Sequence, residues 1–152
     1  MMDHSTNLQI QRVVGDFDLW DKYIKNHPNG TLYHLSGWKD AIENTFHLTG
    51  HYYIATDNKK ILGVLPLFLV KTLFSGKKLI SIPFAVYGGI LADSREIRTF
   101  LLQYAIQLSH KEKVNNLELR NLNDGHEGLP EMDLYVTFIK KSLQKRCNKL
   151  HI

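Results

Sequence analysis

His51-Tyr52-Tyr53-Ile54-Ala55-Thr56, then Asp57-Asn58-Lys59-Lys60, then Ile61 through Lys71: two strand patterns stand on either side of four polar residues. The polar segment reads as a hairpin loop, so the two runs form an antiparallel pair. Upstream, Asn7 to Val14 alternates Leu8 and Ile10 with Gln9 and Gln11 and ends in Val13-Val14, the pattern of a first strand. Between that strand and the hairpin lie two helical patterns. In the first, Asp16 or Asp18 caps a short helix with Leu19, Trp20, Tyr23 and Ile24 on one face, and His27-Pro28-Asn29-Gly30 stops it. In the second, Ser36 caps a helix carrying Trp38, Ala41, Ile42 and Phe46 on its apolar face, and Thr49-Gly50 ends it.

Downstream of the hairpin, Leu73 to Gly76 turns the chain and Lys78 to Phe84 makes another strand. After Ala85-Val86-Tyr87-Gly88-Gly89, Asp93 caps a long helix, with Glu96 completing an acidic capping box. Ile97, Phe100, Leu101, Tyr104, Ala105 and Leu108 form the stripe of that helix. A strand at Asn116 to Asn121, a Gly-containing loop from Asn123 to Glu131 and a strand at Leu134 to Lys140 follow. The order is an antiparallel meander followed by a helix that returns to a neighbouring strand. That predicts an α/β (α+β) domain: a mixed, mainly antiparallel sheet with helices on both faces.

Composition narrows the class. At 152 residues, with 43% hydrophobic and 22% charged residues, the chain suits one domain with one core. No run approaches the roughly 18 apolar residues of a membrane span, and the N-terminus has no apolar leader segment. The lone Cys147 rules out an internal disulfide, so a cytoplasmic address is expected. The net charge of +4 is concentrated in Lys140, Lys141, Lys145, Arg146 and Lys149; without them, 14 of the 19 basic residues face 15 acidic ones. A body so close to neutral is not a nucleic-acid-binding surface.

Five segments carry a family resemblance: Thr31-Leu32-Tyr33-His34-Leu35-Ser36-Gly37-Trp38, Gly63-Val64-Leu65-Pro66-Leu67, Pro83-Phe84-Ala85-Val86-Tyr87-Gly88-Gly89, Leu117-Glu118-Leu119-Arg120-Asn121, and Leu134-Tyr135-Val136-Thr137-Phe138. In this order they resemble the N-terminal domain of FemAB-like proteins of the GNAT acyltransferase superfamily, above all the branch associated with exosortase and exopolysaccharide systems. The resemblance covers about residues 16 to 140 and implies a GNAT-like fold. FemAB proteins with known roles attach amino acids from aminoacyl-tRNA to the peptide of a cell-wall precursor, and they carry two GNAT-like domains in tandem. On that basis residues 7–140 are expected to form the first domain, and the basic tail 141–152 to begin a second. The implied partners are a cell-envelope precursor as acceptor and an acyl donor, such as aminoacyl-tRNA, brought by the second domain. The tail stripe of Ile139, Leu143, Cys147 and Leu150 suggests docking to that domain or self-association.

A GNAT enzyme that uses acetyl-CoA holds the pyrophosphate on a loop of free N–H groups before its central helix. Here that place reads Ala85 to Asp93, with Asp93 where phosphates would sit and Arg95 only after it. Coenzyme A in the usual mode is not expected, and no cofactor is assigned. Gly88 and Gly89 either make a tight turn or let a ligand approach. Tyr87 and Arg120-Asn121 belong at one sheet edge, where clefts bind ligands. Arg120 can fork onto a phosphate or carboxylate, or pair with Glu118. His34 can contact a polar substrate or be a hydrogen-bonded loop residue, and Trp38 belongs in the core. There is no HExxH, HxH or GxSxG pattern, and Gly50 interrupts any helix between His47 and His51, so no metal is assigned. The expected substrate-binding set is His34, Tyr87, Gly88, Gly89, Arg120 and Asn121, with the catalytic residues unknown. The expected role is the acceptor-side half of an amide-forming aminoacyl or acyl transferase that is inactive alone. A non-catalytic binding module and a single-domain acetyl-CoA-dependent N-acetyltransferase are the rival readings.

Overall fold

The computed structural model describes residues 7–72 and 76–121. Its strands are β1 (Leu8–Val13), β2 (Thr49–Asp57), β3 (Lys60–Thr72), β4 (Gly76–Ile80), β5 (Leu91–Ala92) and β6 (Asn116–Glu118). The sheet order is β1-β2-β3-β4-β6, with β5 paired to β3. Every described pair is antiparallel except β4 with β6, which is parallel. The mainly antiparallel α/β architecture expected from the sequence is the one observed.

The β2–β3 hairpin turns through Asn58 (φ 47°) and Lys59 (φ 70°) with Asp57 opposite Lys60. Two consecutive positive φ values give the mirror-image turn whose twist matches that of the strands it joins. A register shift between Ala55 and Thr56 leaves Leu62 as an extra, unpaired residue of β3 next to this turn.

Both faces of the sheet are covered, as alternation along the strands requires. Tyr53, Ala55, Leu65, Leu67 and Leu79 pack under helix α3 (Arg95–Lys111), which buries Ile97, Leu101, Leu102, Ala105 and Leu108. Tyr52, Val64 and Phe68 face α1 (Asp18–Asn26) and α2 (Ser36–Phe46), which contribute Trp20, Ile24 and Ile42. On its second side, β3 pairs with β5 at Gly63–Val64 and with β4 from Phe68 onward. Pro66 sits between those two stretches, and proline has no N–H to offer a ladder.

Several local expectations are corrected. Phe17, not an aspartate, holds the N-cap position of α1, while Asp16 Oδ1 accepts the Asp18 N–H at 2.8 Å. Ser36 lies inside α2 behind Leu35 and donates its N–H and hydroxyl to the Asp21 carboxylate, so it ties the two helices together. His47, in the left-handed region, ends α2, and Thr49-Gly50 already belong to β2. Ser94, not Asp93, caps α3, through its Oγ and the Ile97 N–H at 3.3 Å. Asp93 instead accepts from the Tyr23 hydroxyl at 2.7 Å. Leu19, Ala41 and Phe46 are exposed, and Trp38 is only half-buried: each short helix buries a narrower stripe than its sequence offers. The two-residue β5 was not anticipated, and β4 stops at Ile80. The expected strand Leu134–Lys140, the loop before it and the basic tail lie outside the described residues.

Candidate functional site

After Ile80 the chain leaves the sheet and loops through residues 81–90 before returning as β5. The loop is fastened at its start. Ser81 N–H donates to the Glu118 carbonyl at 2.9 Å, and Ser81 Oγ accepts the Arg120 N–H at the same distance. From there the loop runs on to Gly88 and Gly89, which meet the chain again at Arg120.

Arg120 holds the loop from within. Its Nε donates to Glu118 Oε1 at 2.7 Å, and Nη1 lies 2.7 Å from the Ala85 carbonyl and 3.4 Å from that of Ile82. The ion pair with Glu118 foreseen as one alternative is therefore present, and the same guanidinium also clamps the loop backbone. The Arg120 carbonyl accepts the N–H groups of both Gly88 and Gly89, each at 2.8 Å, and Asn121 Oδ1 accepts the Ile90 N–H at 3.0 Å.

These contacts explain the two glycines. A Cβ on Gly89 would run into the Asn121 side chain and meet the Arg120 carbonyl carbon at 3.0 Å. A Cβ on Gly88, whose φ is 151°, would lie 2.7 Å from Ile82 Cγ1. Gly89 is thus set by the close approach of Arg120-Asn121, just beyond β6, and Gly88 by Ile82 and its own positive φ.

His34 lies behind the loop, 4% exposed, on a 3₁₀ turn (Leu32–His34). Nε2 is 3.2 Å from the Gly89 carbonyl and Nδ1 is 2.8 Å from Thr31 Oγ1. A carbonyl can only accept, so Nε2 carries the proton and Nδ1 accepts from the Thr31 hydroxyl. The backbone is fixed too, because Trp20 Nε1 donates to the His34 carbonyl at 2.7 Å. Burial holds the imidazole neutral and pushes its pKa down to about 4; the Gly89 bond opposes this, and His27 adds to it. His34 is thus a hydrogen-bonded post under the loop, the second of its two anticipated roles.

Tyr87 is half-buried beyond the end of β4, in the loop itself. Its ring meets Tyr33 edge-on at 5.3 Å, and Tyr33 in turn meets Trp38 at 5.0 Å. Alongside this row, Phe46 and Phe84 stack at 4.1 Å although both are exposed, with Phe84 in the left-handed region at φ 63°. A bulky residue rarely adopts that conformation.

All six expected site residues, His34, Tyr87, Gly88, Gly89, Arg120 and Asn121, therefore meet at one loop. Five of them make hydrogen bonds within it, so the loop is a finished surface. Beside it lies a small cleft of about 20 Å³ lined by Asn29, His34, Gly88, Gly89, Ile90, Leu91, Arg98 and Asn121. Asn29 and Arg98 were not foreseen. Asn29 stands in the turn Pro28-Asn29-Gly30, and Arg98 lies off the apolar stripe of α3, where a cation reads as an ordinary solvated residue. Among the described residues no cluster of His, Cys, Asp and Glu could hold a metal ion, and no helix is long and apolar enough to cross a membrane.

No protein-family model matches the chain. Over 101 residues, 61% of its length, it is 35% identical to the lipid II:glycine glycyltransferase of Staphylococcus epidermidis, in strains ATCC 35984 and ATCC 12228. The chain spans 22% of those relatives, about a fifth of their length. Among solved structures it resembles a probable acetyltransferase (TM-score 0.57, 15% identity, 90% of this chain and 99% of that one). It also resembles a GNAT family acetyltransferase of Staphylococcus aureus (0.55, 11%, 90% and 98%) and a soil metagenomic aminoglycoside acetyltransferase (0.53, 12%, 88% and 97%). At these identities the structures show a GNAT-like fold and nothing of the reaction.

Proposed function

We propose that this chain, a FemAB-like GNAT domain by partial homology and fold, is the acceptor-side half of an acyl or aminoacyl transferase. The reaction would form an amide: an amine of a cell-envelope precursor attacks the ester carbonyl of an activated acyl donor, the ester oxygen leaves, and the amine gives up a proton. The homology to a lipid II:glycine glycyltransferase supports acyl transfer and an acceptor of the envelope-precursor class. In this reading residues 7–140 make up the acceptor domain, the segment 141–152 leads into a second GNAT-like domain, and that domain brings the donor.

The observation that carries the reading is the loop at residues 81–90. It offers an aromatic-bordered, hydrogen-bonded surface for positioning a ligand, yet the His34 imidazole behind it has both nitrogens engaged and a pKa pushed down to about 4, far from what a base needs at neutral pH. Position is supplied here and proton transfer is not, which suits a binding half better than a whole enzyme.

The same loop weighs against the single-domain acetyl-CoA reading. The Gly88, Gly89 and Ile90 N–H groups, in the segment where the sequence would put a pyrophosphate loop, already donate to Arg120 and Asn121. The test is a transfer assay with lipid II and labelled glycyl-tRNA. The chain alone should give no labelled lipid II, and transfer should appear when a second GNAT-like domain is added. Transfer by the chain alone would overturn the half-enzyme reading.

A further inference from the structure

We infer that Arg98, Asn29 and Asn121 form a subsite for a carboxylate on the ligand that the loop receives. This rests on the acceptor-side reading above and names the chemistry recognised next to it.

An account of the hydrogen-bonding groups around the cleft leads there. The Gly88, Gly89 and Ile90 N–H groups are engaged with Arg120 and Asn121. Both His34 ring nitrogens are engaged with Thr31 and Gly89, and the Asn29 N–H donates to His27 Nδ1. Asn121 uses its carbonyl oxygen on Ile90, so what it still offers is its amide NH₂. Among the side chains, the remaining capacity is the Asn121 NH₂, the Asn29 amide and the Arg98 guanidinium, in which N–H donors outnumber the one Asn29 oxygen.

Arg98 gives the set its charge. It is half-buried on the first turn of α3, and among the described residues no carboxylate pairs with it. A cation at a helix N-terminus opposes the helix dipole, and a bound anion offsets both that and the partial desolvation of the guanidinium. Size selects among anions. About 20 Å³ leaves room for no more than one small terminal group, which excludes a polyphosphate, and a carboxylate is the smallest anion that can take the guanidinium fork bidentately.

The test is a ¹⁵N NMR titration with sodium acetate and, separately, sodium phosphate, at ionic strength held constant with sodium chloride. Acetate should shift the Ile90 and Asn121 backbone signals and the Asn121 side-chain amide in a saturable way. Arg98→Gln should weaken that binding at least tenfold, while Arg98→Lys should keep part of it; both variants should melt like the wild type. Absence of saturable shifts in the wild type, or an unchanged titration in Arg98→Gln, would overturn the subsite. Phosphate binding more tightly than acetate would overturn its assignment to a carboxylate. Acetate does not depend on the identity of the acceptor. Retained acetate binding without lipid II binding would therefore sink the acceptor reading alone, and the converse would sink the subsite alone.

Discussion

The carbonyl oxygen of Arg120 accepts the N–H of Gly89 at 2.8 Å, and it takes that of Gly88 at the same distance. One backbone oxygen thus engages the two amides that a phosphate-binding loop would leave open. With the Arg120 guanidinium on Ala85 and the Asn121 side chain on Ile90, two residues just beyond β6 hold the loop between β4 and β5 in place.

Coenzyme A esters should therefore bind very weakly. Isothermal calorimetry with acetyl-CoA is expected to give a dissociation constant no tighter than about 1 mM. A micromolar constant would mean that the loop reopens, and would favour a self-sufficient acetyltransferase.

His34 should make stability depend on pH in a defined window. Its folded pKa of about 4 lies below the 6.5 of an unfolded histidine, so between those values the unfolded chain binds the extra proton. Stability from this group is complete above about pH 6.5, falls as the pH drops, and levels off below about 4. The loss over the window is about 3 kcal/mol. Urea melts of the wild type and His34→Gln at pH 7 and pH 4 should differ in their pH dependence by roughly that amount. Parallel pH dependence in the two would show that the imidazole is not held neutral by burial.

Trp20 and Trp38 should separate cleanly. Trp20 is 1% exposed and hydrogen-bonded to the His34 carbonyl, so Trp20→Ala should cost about 3–5 kcal/mol and loosen the site with it. Trp38 is half-buried, and its buried Nε1 has no hydrogen-bond partner among the described residues, so Trp38→Ala should cost about 1–2 kcal/mol. Equal midpoints in urea for the two variants would contradict the packing described here.

These contrasts show which features the sequence made legible. Alternation in Leu8–Val13 and the polar break at Asp57–Lys60 identified β1 and the central hairpin, because the side-chain period of a strand is a local property. The stripe of α3 was legible for the same reason. Helix caps were not: Ser36 and Asp93 are both competent caps, yet each is drawn to a distant partner, Asp21 and Tyr23 respectively. Tyr87 and Arg120-Asn121 could be brought to one sheet edge by strand order alone, whereas nothing in strand order placed His34 beside them. Which of their atoms remain available could not be read, since that depends on contacts such as His34 with Gly89 across 55 positions. Arg98 was missed because nothing in its neighbours on the chain sets it apart from an ordinary surface cation.

Binding of the acceptor at this loop is tested most directly by ¹⁵N NMR with lipid II in detergent micelles, the same micelles without lipid II serving as reference. Lipid II should shift the signals of residues 82–90 and Asn121 saturably and leave β1 and the β2–β3 turn unmoved. Tyr87→Ala, which removes a half-buried ring without touching the Arg120 clamp, should weaken that binding by about tenfold, or 1.4 kcal/mol. No saturable shift with lipid II, or shifts confined to residues far from the loop, would contradict the assignment of this chain as an acceptor-side domain.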